Sequence, residues 1–165
     1  MGGVLLYASC GFNKWFPISK KEMPSSMSSK SLLLVSRSDG IGVITLNRPE
    51  KLNAVNLEMR LAFHRVLDEF CLDEEVCVVV VTGTGQAFCV GADIAEFIKG
   101  APGGEQGKPG VMDTVKKLVS CKKPIIGAIN GVASGDGAQW VLAFDLNVAS
   151  EGATFSWPAT RLGLL

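Results

Sequence analysis

The sequence carries no net charge and no long apolar run. Lys plus Arg and Asp plus Glu each number 16 in a chain of 165 residues, so the formal net charge is zero. A chain without a basic excess lacks the usual electrostatic signature of nucleic-acid binding. Its longest apolar runs, such as VCVVVV at 76–81, are far too short to cross a bilayer. We therefore expect neither a nucleic-acid partner nor a membrane-spanning segment.

Thiol and imidazole groups are also few. The five cysteines are scattered and form no CxxC pair, which disfavours a disulfide framework and a zinc site; they are Cys10, Cys71, Cys77, Cys89 and Cys121. Reduced thiols in an intracellular compartment, and no bound metal, are the expectation. The only histidine is His64, which shares one polar stripe of a predicted helix with Arg60 and Asp68. We expect that stripe to face solvent, so a Ser-His-Asp mechanism is set aside.

Residues 1–30 differ from the rest in composition. They carry several serines, four lysines, one glutamate and no arginine. Their apolar run VLLYA is too short for a secretory signal, and the lack of arginine counts against a mitochondrial transit peptide. We expect a disordered or targeting tail at 1–30, or upstream sequence before a start at Met23 or Met27, and a folded core at 31–165. The compartment is left open, with a mitochondrial or peroxisomal matrix favoured for a eukaryotic source.

From Leu32 onward strands alternate with helices. SLLLVS and IGVITLN predict two strands joined by a turn, and apolar side chains at 59, 63, 66, 67 and 70 predict one buried face of a helix over 57–71. CVVVVTG at 77–83 and the strand at 124–129 are apolar throughout, as in parallel strands covered on both faces. Further helices are expected near 93–99, 111–120 and 137–143, with a glycine-rich segment at 99–110 and a strand at 146–149. The class predicted is α/β.

Two loops hold the candidate site. GQAFCVGAD at 85–93 and GVASGDG at 131–137 each follow a buried strand and lead into a helix. Ligands of open α/β sheets bind beyond the carboxyl ends of the strands, and the free N–H groups of a helix N-terminus attract anions. Two such donors, one from each loop, could hold one carbonyl oxygen and stabilise an enolate or oxyanion.

Three segments in this order resemble the crotonase family, the enoyl-CoA hydratases and isomerases. They are LNRPEKLNAVN, GTGQAFCVGADI and KPIIGAINGVASGDGAQWVLAFDLNVASEGATFSWPATRLGL, and the likeness covers residues 32–165. It implies a spiral of β-β-α units, assembly into homotrimers or hexamers, acyl-CoA thioester substrates, and no metal or cofactor other than the CoA of the substrate. The family continues beyond this point, so the resemblance implies a fold that is incomplete at its C-terminus, with apolar surface exposed there.

The resemblance also assigns roles to single positions. It places the backbone N–H groups of Ala92 and Asp136 at the two oxyanion-hole donors. Gln139 and Ala159 fall where hydratases carry two catalytic glutamates, in the family patterns GGGxE and PExxLG. It implies contacts along the CoA and the acyl-pantetheine arm at Lys51, Leu52, Asn53, Ala54, Ala92, Asp93, Ile94, Ala95 and Asp136. Asp145 is interpreted as structural.

The centre departs from the family pattern at three of these positions. A hydratase uses two carboxylates to activate water and deliver a proton, which the amide of Gln139 and the methyl of Ala159 cannot do. At Asp136 we expect the backbone to need the conformational freedom of glycine. A carboxylate about 5 Å from a developing oxyanion also costs roughly 3 kcal/mol at an effective dielectric of about 20, unless that side chain turns away and caps the helix.

Two functions remain open at the level of sequence. One is an enzyme acting on acyl-CoA thioesters in fatty-acid or related metabolism, with isomerase chemistry favoured over hydratase because some isomerases need a single carboxylate beyond the LGL motif. The other is a catalytically inactive CoA-binding relative or a truncated product, since both hydratase glutamates are replaced.

Overall fold

The computed structural model describes residues 31–95 and 109–158. In chain order the strands and helices are β1 (Leu33–Ser38), β2 (Ile41–Leu46), a 3-10 helix (Pro49–Lys51), α1 (Leu57–Leu72), β3 (Val78–Gly83), β4 (Ala87–Cys89), α2 (Val111–Ser120), β5 (Ile125–Ile129), β6 (Val132–Ser134), α3 (Asp136–Ala143), β7 (Leu146–Ala149) and β8 (Phe155–Ser156). The predicted tail at 1–30, most of the glycine-rich segment at 99–110, and Ala159 lie outside the described residues.

The main sheet has five strands in the order β1-β2-β3-β5-β7. The β1–β2 hairpin is antiparallel and turns through Asp39 and Gly40, which both have positive φ angles of 51° and 80°. Every other neighbouring pair in this sheet is parallel. Parallel strands need crossover connections, and helices supply them here. The predicted α/β class is confirmed.

Helix α1 covers one face of this sheet. Its N-cap is Asn56, whose side chain accepts a hydrogen bond from the Met59 N–H at 2.9 Å. The apolar face predicted from the periodicity is buried as expected, through Met59, Phe63, Val66, Leu67 and Phe70. This face packs into the core with residues such as Ile44, Val79 and Ile125 of the strands.

The prediction of a solvent-facing polar stripe on α1 was wrong for Arg60. Only 6% of Arg60 is exposed, and His64 is half-buried, whereas Asp68 is exposed. The reason is tertiary: the polar side chains of 60 and 64 find hydrogen-bonding partners on other helices. Buried charges require such partners.

A second, smaller sheet of parallel strands in the order β4-β6-β8 was not predicted. Both segments interpreted as loops contain one of its short strands. Ala87 pairs with Val132, and Cys89 pairs with Ala133, with an irregularity between the two pairs. The strands hold the predicted loops side by side, which positions the candidate site.

Several apolar side chains of the C-terminal elements are exposed. Exposure is greatest at Leu142 (73%) and Leu146 (63%), and β7 is exposed along its whole length. Asp145 is structural, as predicted: its carboxylate accepts the Ile125 N–H at 2.7 Å and its own N–H donates to the Ile125 carbonyl. In the two described ranges, no helix combines the length and apolarity that crossing a membrane requires.

Candidate functional site

The two loops meet at three glycines. Gly91 has a φ of 104°, and a Cβ atom there would lie 3.1 Å from the Ser134 carbonyl oxygen and 3.3 Å from the Asp136 nitrogen. Across the contact, Gly135 has a φ of 52°. A Cβ atom on Gly137 would lie 2.2 Å from the Cys89 carbonyl oxygen, which is closer than any side chain tolerates. Glycine therefore permits the backbone of the first loop to touch the start of α3.

The backbone around Ala92 leaves one N–H group unused. Val55 donates to the Gly91 carbonyl at 2.7 Å and accepts from the Asp93 N–H at 3.0 Å, forming an isolated parallel bridge with Ala92. In such a bridge the N–H of the middle residue points away from the partner. No residue in the described ranges accepts a hydrogen bond from the Ala92 N–H.

Asp136 offers a second donor of this kind. It is the first residue of α3, and the first N–H groups of a helix have no acceptor within that helix. Its N–H has no hydrogen-bond acceptor elsewhere among residues 31–95 and 109–158. Asp136 does not have a positive φ, so its backbone does not require a glycine, and that expectation was wrong. An aspartate at this position therefore differs from a glycine only through its carboxylate side chain.

The Asp136 carboxylate makes a contact that the sequence did not predict. Its Oδ2 atom lies 3.0 Å from Nη2 of Arg60, in a pair whose side chains are both almost fully buried. The Asp136 side chain does not cap the helix, as one expectation had it, because Gly135 occupies the N-cap and no side-chain cap bond is present. The available signal was an arginine directly beside the apolar face of α1 and an aspartate set between two glycines. Neither residue alone indicated the other.

The segment at 48–54 is fastened to the first loop. The Arg48 guanidinium donates to the Ala54 carbonyl and pairs with Asp93 at 2.9 Å. The hydrogen bond from Arg48 is the largest cause holding the pKa of the Asp93 carboxyl below its usual range. The Asn53 side chain is completely buried and donates to the Thr84 and Ala87 carbonyls. These bonds fix the segment in the position from which it could reach a ligand at Ala92.

The residues predicted to contact CoA divide into two groups by exposure. Lys51, Leu52, Ile94 and Ala95 are exposed, and Asp93 is partly exposed. Asn53, Ala54 and Asp136 are buried, and Ala92 is partly exposed; the Asn53 side chain is fully engaged in hydrogen bonds with the protein. Side-chain contacts with a ligand are therefore open to the first group, and the role of each residue stays a prediction.

Gln139 lies one helical turn into α3. Its backbone N–H donates to the Gly135 carbonyl at 3.0 Å, while its side-chain Oε1 is buried with no hydrogen-bond partner among the described residues. The adjacent Trp140 is fully buried and stacks on Phe63 of α1, with ring centroids 4.6 Å apart, which fixes the helix against the core. Gln139 thus sits on a rigid element with an acceptor atom unused.

Cys89 is the buried thiol beneath the two loops. Burial raises its pKa to about 12, so the thiol stays protonated and is a poor nucleophile. Burial also lowers the pKa of His64, with the Lys117 and Arg60 charges adding to the effect. No cluster of three or more His, Cys, Asp or Glu side chains that could hold a metal ion occurs in the part of the chain that the structure describes. The arrangement offers backbone donors and charge rather than a side-chain nucleophile.

Two unused backbone donors at one edge of the sheets form an arrangement that can hold a carbonyl oxygen. Comparison with known proteins makes this specific. The sequence profile described as enoyl-CoA hydratase/isomerase matches residues 36–165. The chain belongs to this family.

Individual relatives agree with the profile. The chain is 37% identical over 142 residues to a probable peroxisomal enoyl-CoA hydratase 1 of Arabidopsis thaliana, covering 86% of this chain and 53% of the relative. It is 34% identical to a short-chain-enoyl-CoA hydratase of Clostridium acetobutylicum, covering 80% of this chain and 51% of that one. Among solved structures, an enoyl-CoA hydratase subunit of Geobacillus kaustophilus matches with a TM-score of 0.73 and 36% identity, over 82% of this chain and 52% of that one.

The predicted crotonase-like fold is confirmed by these matches. The chain spans about half the length of the relatives it matches, so the fold described here corresponds to one part of theirs.

Proposed function

We propose that this chain binds acyl-CoA thioesters and polarises the thioester carbonyl with the N–H groups of Ala92 and Asp136. The packing of Gly91 against Gly135 and the Asp136 nitrogen carries the proposal, because it brings an unused donor from each loop to the same place. Two N–H groups directed at one oxygen favour the enolate form of a thioester over its neutral form. The CoA of the substrate is the only cofactor that this chemistry requires.

The reaction class follows from what surrounds those donors. The relatives are named as hydratases, but hydration needs acid and base groups that Gln139 does not provide, because a carboxamide does not exchange a proton near neutral pH. We favour enolate stabilisation without water addition, as in isomerase chemistry. That chemistry requires one further carboxylate to move the proton. We expect no hydration of crotonyl-CoA above background by this chain. Loss of the enoyl thioester absorbance at the rate of an ordinary hydratase would contradict this.

A second candidate is a CoA-binding relative without turnover. The observation that favours it is Gln139, whose buried Oε1 accepts no hydrogen bond from the described residues where the family pattern has a catalytic glutamate. Both candidates share thioester binding and differ only in catalysis. Assembly into homotrimers or hexamers, which the resemblance implies for the full-length family, stays a prediction.

Calorimetric titration with two matched ligands tests thioester binding. The first is acetoacetyl-CoA, which forms an enolate readily. The second is an S-alkyl CoA thioether of equal chain length, which lacks the carbonyl oxygen. We expect the thioester to bind at least about tenfold more tightly, since a hydrogen bond to a charged oxygen is worth roughly 1.5–3 kcal/mol and about 1.4 kcal/mol is a factor of ten. Equal affinities for the two ligands would refute the oxyanion role of Ala92 and Asp136.

A further inference from the structure

A buried ion pair joins helix α1 to the first turn of α3. Arg60 is 6% exposed and Asp136 is 7% exposed, and Nη2 of the arginine lies 3.0 Å from Oδ2 of the aspartate. Burying either charge alone is strongly unfavourable, and the pair is tolerated because each charge is partner to the other. The two residues therefore depend on each other for their positions.

The guanidinium is held from a second side as well. Nη1 of Arg60 donates to Oγ1 of Thr114 on α2 at 3.3 Å, and that hydroxyl lies 2.8 Å from Nε2 of His64. Thr114 is fully buried. Contacts with α2 and α3 together fix the plane of the guanidinium, so the direction from which it holds the Asp136 carboxylate is also fixed.

The position of Asp136 makes that direction important. Its backbone nitrogen is one of the proposed donors, and it faces Gly91 across a gap that a single Cβ atom would fill. A carboxylate on the same residue is only a few ångströms from any oxygen that this N–H binds. Left unpaired, it would repel the negative charge that develops on a thioester oxygen.

Resting on the proposed function, we propose that Arg60 is a positioning residue of the oxyanion site. Its guanidinium selects the side-chain conformation in which the Asp136 carboxylate lies against α1, and it offsets the negative charge. The Asp136 N–H then acts on the thioester oxygen as the N–H of an uncharged residue would. Arg60 touches neither the ligand nor the reacting atoms and acts only through Asp136.

The test is the affinity ratio between acetoacetyl-CoA and the S-alkyl CoA thioether, measured by titration calorimetry. In Arg60→Met the stem keeps most of its volume but the charge is lost. We expect the ratio to fall about tenfold, the effect of an uncompensated like charge nearby after solvent screening, while thioether affinity is retained. The matched control is Arg37→Met, which removes an exposed pair with Asp73 near the opposite end of α1 and should keep the wild-type ratio.

A second variant separates charge from structure. Arg60→Met combined with Asp136→Asn buries neither charge, and we expect it to recover most of the wild-type ratio. It also keeps the proposal testable should Arg60→Met alone not fold, because a collapsed ratio in the double variant would overturn it. Equal weakening of both ligands by Arg60→Met, or an unchanged ratio, would overturn it too. A wild-type ratio of one would refute the oxyanion function itself, before Arg60 is considered.

Discussion

Replacing Asn53 with alanine should loosen the segment that borders the site. The Asn53 side chain is completely buried and makes three hydrogen bonds of 2.9 Å: its Oδ1 accepts the Arg48 N–H, and its Nδ2 donates to the carbonyls of Thr84 and Ala87. The Ala87 carbonyl retains a second donor, Nδ2 of Asn130 at 3.1 Å. Alanine therefore leaves two backbone groups, at Arg48 and Thr84, without this partner.

The loss in the free energy of unfolding comes from those two groups and from the backbone conformation at residue 53. A fully buried group left unsatisfied costs about 1–3 kcal/mol, and because these two groups are only partly buried we assign each about 1–2 kcal/mol. Asn53 has a φ of 58°, and an alanine in that left-handed region adds about 1 kcal/mol. We expect Asn53→Ala to lower the free energy of unfolding by about 3–5 kcal/mol, a large part of the roughly 5–15 kcal/mol that holds a domain together.

Urea denaturation followed by circular dichroism measures this change. Asn53→Gly should lose the same hydrogen bonds without the left-handed strain, so it should be about 1 kcal/mol more stable than the alanine variant. Asn47→Ala is the matched control, since it removes a single exposed hydrogen bond to the Ser31 carbonyl. A loss below about 1 kcal/mol for Asn53→Ala, close to that of the control, would refute the argument that this side chain braces the segment.

Three further outcomes follow from buried groups around the site. Burial lowers the pKa of His64 from 6.5, so the folded state favours the neutral imidazole. The contribution of His64 to stability should be present above about pH 6.5 and lost as the pH falls below it. Urea midpoints measured across pH should show this dependence, and His64→Gln should remove it. Cys89, whose pKa burial raises to about 12, should resist alkylation at neutral pH while the exposed Cys77 reacts. Peptide mass mapping measures the labelling of each cysteine, and equal labelling of the two would contradict the burial of Cys89. Gly137→Ala should destabilise the fold by about 1–3 kcal/mol in thermal unfolding and reduce thioester affinity, because its Cβ would meet the Cys89 carbonyl. A neutral effect would argue against the close approach of the loops.

Regular periodicity made much of the fold predictable. The apolar face of α1 and the buried strands β3 and β5 were expected from local patterns, because each pattern repeats over at least five residues and matches one geometry. The two glycine-rich loops were expected at the carboxyl ends of strands for the same reason. Strands β4 and β6 were not expected, because three residues are too few for a pattern to show. Their pairing depends on the tertiary approach of the loops.

The Arg60–Asp136 pair shows a different limit. The two residues are 76 positions apart, and each has an ordinary local explanation: an arginine on a helix, and an acidic residue in the first turn of another. Local sequence patterns predict an exposed Arg60, and for Asp136 they predict a capping role or an unfavourable charge. Only the packing of α1 against α2 and α3 determines that the two charges meet, and no periodicity in the sequence encodes that distance.

The pair also explains how an aspartate can replace glycine at this point of the site. The backbone of residue 136 lies in the first turn of α3 without a positive φ, so the conformation itself demands no glycine. Under the proposed function, the position excludes an uncompensated negative charge beside the Asp136 N–H. Arg60 supplies the compensation from α1, but an arginine buried there without an acidic partner would itself be an unpaired cation. Each residue is acceptable only in the presence of the other, so the proposed oxyanion site depends on a helix that contributes no donor to it.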